Sequence, residues 1–133
     1  MFQDLEIFQM AHGMAQHAGR LQAVAAQNMA NADTPGYKAK LITPFADTLR
    51  QSNASGGQRA TRPSHMNGVQ ADHPIGQAAL LMQDEEARSD PNGNSVAIED
   101  EILRAVDAKR QHDRALAIYR HGLTVLRTAI GRG

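Results

Sequence analysis

The 133-residue chain has no cysteine and no tryptophan, and only three phenylalanines and two tyrosines. Without cysteine there are no disulfides, no thiolate metal ligands and no cysteine nucleophile, and the redox compartment stays open. Few aromatics mean few large core side chains. Alanine alone supplies 22 of the residues behind the 41% hydrophobic content. Alanine buries little area, and at about 25 cal/mol per Å² an alanine-rich core is weakly stabilising. Such a chain forms helices more readily than a thick globular core. No stretch approaches the roughly 20 apolar residues of a membrane span. The start, "MFQDLEIFQMAHG", lacks the basic and apolar regions of a cleavable signal, so none is expected.

Net charge is zero, but the charges are segregated. Residues 84–101 hold Asp84, Glu85, Glu86, Asp90, Glu99, Asp100 and Glu101 against Arg88. Residues 102–133 hold Arg104, Lys109, Arg110, Arg114, Arg120, Arg127 and Arg132 against Asp107 and Asp113. A basic helix suits nucleic acid or, more commonly, a solvated or partner-facing flank.

Two long heptad patterns frame the chain. Ile7, Met14 and Leu21, followed by Asn28, form one series near the N-terminus, and Ala11, Ala18, Ala25 and Ala32 the other. Near the C-terminus Ile102, Leu116, Leu123 and Ile130 recur every seven residues, interrupted at Lys109. Ala105, Tyr119 and Leu126 form the second series there, interrupted at His112. Alternating large residues and alanines make a seam that lets helices approach closely. The expected fold is mainly α, with long N- and C-terminal helices paired as a coiled-coil hairpin around a flexible or extended middle segment. The divisions are 1–34, an N-terminal coiled-coil helix; 35–95, a signature turn and loop-rich segment; and 96–133, a C-terminal coiled-coil helix. Residues 76–88 suit a short helix within the middle. The expected assembly seam is Ile7, Met14, Leu21, Leu116, Tyr119, Leu123 and Leu126.

The chemistry of catalysis is not assembled anywhere. No His-Glu-x-x-His, Gly-x-Ser-x-Gly or phosphate-cradling glycine run occurs. The spacings His12/His17 and His112/His121 separate each pair around a helix. Asp90, Asn92, Asn94 and Glu101 fall at the first, third, fifth and twelfth positions of a calcium loop, but Ser95 replaces its required glycine. The expectation is no enzyme activity, no catalytic residue, no metal and no cofactor.

The first heptad pattern runs into "NMANADTPGYKA", residues 28–39. Thr34 before proline is pushed to extended backbone, so the helix stops by Asp33. Pro35-Gly36 suits the centre of a type II turn, and Asn28, Asn31 and Asp33 can bond turn backbone. An ordinary helix stop explains Pro-Gly but not a polar cluster this long. The stretch, together with "GNSVAIEDEI" before the last helix and the ending "LRTAIGRG", resembles the bacterial flagellar axial proteins, most of all the basal-body rod proteins of the proximal rod.

The resemblance covers both terminal thirds and implies a structural subunit, not an enzyme. It implies export in an unfolded state without a cleaved signal, then polymerisation in the periplasm into the basal-body drive shaft that carries motor torque. The signature turn, Asn28, Asn31, Asp33, Thr34, Pro35, Gly36 and Tyr37, would make contacts between subunits. "FADTL", with Phe45 and Leu49, is similar to the family's export motif, although such a pair is also a common helical contact. Implied partners are further copies of the chain, the rod proteins FlgC and FliE, and the export apparatus, with neither nucleic acid nor membrane insertion. Two alternatives stay open: a FlgC-type rod protein, and a nucleic-acid-binding helical protein using the basic last helix.

Overall fold

The computed structural model describes residues 2–54, 81–83 and 91–131, with side chains over 6–50 and 91–131. Among these residues, three helices and two short strands follow in the order α1 (Phe2–Ala30), β1 (Lys40–Ile42), α2 (Phe45–Ala54), β2 (Leu81–Gln83) and α3 (Ile98–Ile130). At 1.5 Å per residue, α1 extends about 44 Å and α3 about 50 Å. Alanine and unbranched side chains favour both helices. α3 opens on Glu99, Asp100 and Glu101 and has Arg127 in its last turn, the order that complements its dipole. Its N-cap, Ala97, offers no side-chain bond, and at the other end Gly131 N–H reaches the Arg127 carbonyl at 2.9 Å.

α1 packs along α3. Asn28, near the end of α1, meets Glu101 near the start of α3. Toward the opposite ends, the Phe8 ring lies edge-on to Tyr119 at 5.1 Å. The two helices therefore run antiparallel. Between these contacts the buried line is almost entirely alanine: Ala11, Ala18 and Ala25 on α1, with Ala108 and Ala115 on α3. Gly122 extends the α3 line by another seven residues, and a Cβ there would stand 3.1 Å from the Phe8 ring. Small residues at this spacing bring two helix backbones close together.

This line differs from the C-terminal heptad read in the sequence. It passes one residue earlier, through Glu101, Ala108 and Ala115, where the large-residue series has Ile102, Lys109 and Leu116. The interruptions at Lys109 and His112 thereby disappear, because both side chains lie outside the contact and are exposed. The physical reason is size: a close antiparallel approach accepts methyl groups and pushes Ile and Leu to the flanks.

Among the described residues of the middle, 40–42, 45–54 and 81–83 form regular elements. α2 follows Pro44, whose carbonyl accepts from Asp47 N–H, Thr48 N–H and the Thr48 hydroxyl. β1 and β2 pair antiparallel, with Lys40 opposite Gln83, Leu41 opposite Met82 and Ile42 opposite Leu81. Residues 81–83, expected inside a short helix, are thus a strand. Pairing with β1 overrides a local composition that favours helix. The rest of that expected helix, 76–80 and 84–88, lies outside the described residues.

Candidate functional site

The polar cluster after α1 is one half of a hydrogen-bonded clamp, and residues 92–101 are the other half. Past Ala30 the chain leaves the helix through short turns, with Asn31, Ala32 and Thr34 N–H groups bonded to the carbonyls of Asn28, Met29 and Asn31. Tyr37 N–H then reaches the Thr34 carbonyl at 3.3 Å, and Gly36 takes φ +73°. A positive φ at the third residue of such a turn is the type II geometry expected from Pro35-Gly36. Gly93, at φ +81°, comes from the opposite side so closely that a Cβ on it would stand 3.4 Å from the Gly36 Cα. Gly36→Ala would meet no atom within 4 Å, so its cost is backbone strain alone, about 1–2 kcal/mol. Thermal unfolding followed by circular dichroism should read that loss.

Asn94 holds the two halves together. It is buried, and its amide nitrogen lies 2.9, 2.7 and 2.9 Å from the carbonyl oxygens of Asn31, Ala32 and Thr34. Its own oxygen accepts from Val96 N–H at 2.7 Å. Around it, Gly36 N–H donates to the Asn92 carbonyl, Ser95 N–H to the Tyr37 carbonyl, and Ala39 N–H to the Ser95 hydroxyl.

Asn28 closes the other side. Its amide donates to the Lys40 carbonyl at 2.8 Å and to Glu101 Oε1 at 3.0 Å. Its oxygen accepts from Lys40 N–H at 3.0 Å and from the Tyr37 hydroxyl at 3.3 Å. Both its donors and both its lone pairs are used, joining α1, β1 and α3 through one side chain. Glu101 is 1% exposed and also pairs with Arg104, while its buried Oε2 has no hydrogen-bond partner among the described residues.

The remaining expected residues are distributed unevenly. The Asn31 amide bonds back to the Gln27 carbonyl, and its oxygen accepts from Thr34. Asp33, Thr34, Pro35 and Gly36 are exposed, while Tyr37 is half-buried. Of the seam residues, Met14, Leu21, Leu123 and Leu126 are half-buried, whereas Ile7, Leu116 and Tyr119 are exposed at the helix flanks. Phe45 is half-buried at the start of α2, its ring 5.5 Å from that of His17, and Leu49 is half-buried one turn on.

Sequence reasoning missed Asn94, Glu101 and His17 as structural centres. His17 is fully buried and donates from Nε2 to the Thr43 carbonyl at 2.8 Å, which fixes where β1 hands over to α2. Asn94 and Glu101, two members of the calcium-loop spacing, are directed to turn carbonyls and to Asn28. Among the described residues no group of three His, Cys, Asp or Glu could hold a metal, and no helix is long and apolar enough to cross a membrane. On the exposed face of α3, the Lys109 ammonium bonded to Asp113 at 2.8 Å holds that carboxyl below its usual range. Such an exposed pair adds little to stability.

The described structure is two long helices closed at one end by a polar clamp, with large apolar side chains left on their flanks. Residues 11–38, from the middle of α1 through the turn, match the model of the flagella basal body rod protein family. The chain is also 29% identical over 118 residues to the flagellar basal body rod protein FlgB of Agrobacterium fabrum, covering 84% of this chain and 82% of that protein. Both matches make the chain similar to flagellar basal-body rod proteins, with FlgB among them.

Proposed function

We propose that this chain is a structural subunit of the flagellar basal-body proximal rod. The observation that carries this reading is the mismatch between its inside and its outside. Alanines fill the contact between α1 and α3, while Ile7, Ile102, Leu103, Val106, Leu116 and Val125 remain exposed. Fully burying an aliphatic side chain is worth about 1.5–3 kcal/mol, so further apolar stabilisation is available against neighbours. α1 and α3 act as a coiled-coil hairpin, the N-terminal unit 1–34 and the C-terminal unit 96–133, joined by the segment 35–95. Ile7, Met14, Leu21, Leu116, Tyr119, Leu123 and Leu126 supply the assembly seam. The exposed tip Asp33–Gly36 contacts adjoining subunits, and the clamp behind it keeps the tip in one shape.

The family relationship supports passage through the flagellar export apparatus as an unfolded chain, with Phe45 and Leu49 as the export motif. It supports folding on assembly in the periplasm, and FlgC and FliE as neighbours beside other copies of the chain. The role is mechanical rather than catalytic. The test is sedimentation velocity with far-UV circular dichroism over a range of concentrations. Helix and particle size should rise together in the parent chain, and Leu21→Asp or Leu123→Asp should keep it small, since a lone charge in a dry seam costs about 3–5 kcal/mol. Assembly of either charged variant at parental concentrations would overturn the reading.

A further inference from the structure

The exposed apolar surface of α3 is not uniform along its length. In its first turns Ile102, Leu103 and Val106 are 50%, 63% and 44% exposed. At about 100° per residue they project away from the buried line through Glu101, Ala108 and Ala115, forming a ridge on the outer face. Glu99 stands on the same ridge. Farther along, the flank of α3 is concave instead. A groove of about 580 Å³ lies between α1, the second half of α3 and the start of α2, lined by Ile7, Met10, Met14, Phe45, Ile118 and Val125. Arg114 lies one turn before Ile118 on that flank. Neither Glu99 nor Arg114 has an ion-pair partner among the described residues.

We infer that the ridge Ile102–Leu103–Val106 of one copy docks in the groove of a second copy, with Glu99 approaching Arg114. This deepens the rod-subunit reading and rests on it. The occupant is argued from three matches: a convex apolar patch and a concave apolar groove on the same molecule, opposite unpaired charges beside them, and a displacement between the two. Leu103 and Ile118 are separated by about 22 Å along one helix. Ridge and groove are different surfaces, so each copy uses one and offers the other. A contact between unlike surfaces is heterologous, and it propagates as a filament or ring instead of stopping at a two-fold dimer. Each docking step advances the second copy by about that 22 Å unless the copies are tilted.

The absence of native cysteine makes the contact directly testable. Leu103→Cys and Ile118→Cys chains are prepared separately, mixed, and exposed to a mild oxidant while assembly of the parent chain is followed in parallel. The disulfide between unlike variants should form about tenfold faster than Leu103→Cys with itself, or with an Ala23→Cys control on the exposed side of α1, because docking raises the local thiol concentration. Rising salt should slow the unlike pair selectively, as screening weakens the Glu99–Arg114 attraction. Equal rates for all pairs, in a preparation whose parent chain assembles, would overturn the ridge-and-groove contact and leave the rod reading standing. No assembly of the parent and no preferred disulfide would overturn both. Preferential Leu103→Cys self-linking would overturn the contact in favour of a two-fold arrangement.

Discussion

Asn28→Asp should cost about 3–5 kcal/mol, the range for leaving a charge buried without compensation. Asparagine donates to Glu101 Oε1 and to the Lys40 carbonyl while accepting from Lys40 N–H and the Tyr37 hydroxyl. Aspartate keeps the two accepted bonds and loses both donated ones. It also sets a second carboxylate beside Glu101, a residue 1% exposed. Against a typical total stability of about 5–15 kcal/mol, such a loss leaves little. Urea unfolding followed by far-UV circular dichroism should show the midpoint fall. Glu101→Gln in the same chain restores a donor opposite the new acceptor, so the double variant should recover at least half of the loss. A double-mutant cycle with no coupling between positions 28 and 101 would contradict this account.

Asn94→Ala should be nearly as damaging, although it removes only a small neutral side chain. The carbonyls of Asn31, Ala32 and Thr34 lose a shared donor, and Val96 N–H loses its acceptor. A buried polar group without a partner costs about 1–3 kcal/mol. The exposed turn admits water to some of these groups, so a total near 3 kcal/mol is expected, not the full sum. Hydrogen exchange locates the effect: amides of residues 34–39 and 95–96 should exchange faster, while those near Ala11 and Ala115 keep their protection. Uniform loss of protection along both helices would mean that the clamp and the helix pair unfold as one unit, contrary to the expectation.

Both long helices and the point where α1 stops were legible in the sequence, because heptad spacing and Pro35-Gly36 are local signals. The site was legible on one side only. Asn28 stood out as a polar residue in an apolar series, but its partners did not. Glu101 belongs to an acidic triplet, Glu99-Asp100-Glu101, that reads as dipole compensation. Its burial follows from the approach of α1, a long-range event. Asn94 read as part of a turn for a similar reason: its partners lie about 60 residues back in the chain. The contact line on α3 escaped detection because Ala108, Ala115 and Gly122 give a weak hydrophobic signal beside Ile102, Leu116 and Leu123. Residues 81–83 became a strand through pairing with Lys40–Ile42, which composition alone could not reveal.

The clamp has a consequence for how this chain can vary. It anchors the end of α1 directly to the start of α3, and β1 grips β2 just outside it, so the spacing of the two long helices is set without any contribution from the length of chain between α2 and β2. Adding length to a connection whose two ends are already held costs little, about 0.6 kcal/mol for each doubling. Extra sequence entering there would leave the spacing of the two long helices untouched. A chain built this way can gain a bulky surface module between residues 54 and 81 while keeping the same two-helix stem.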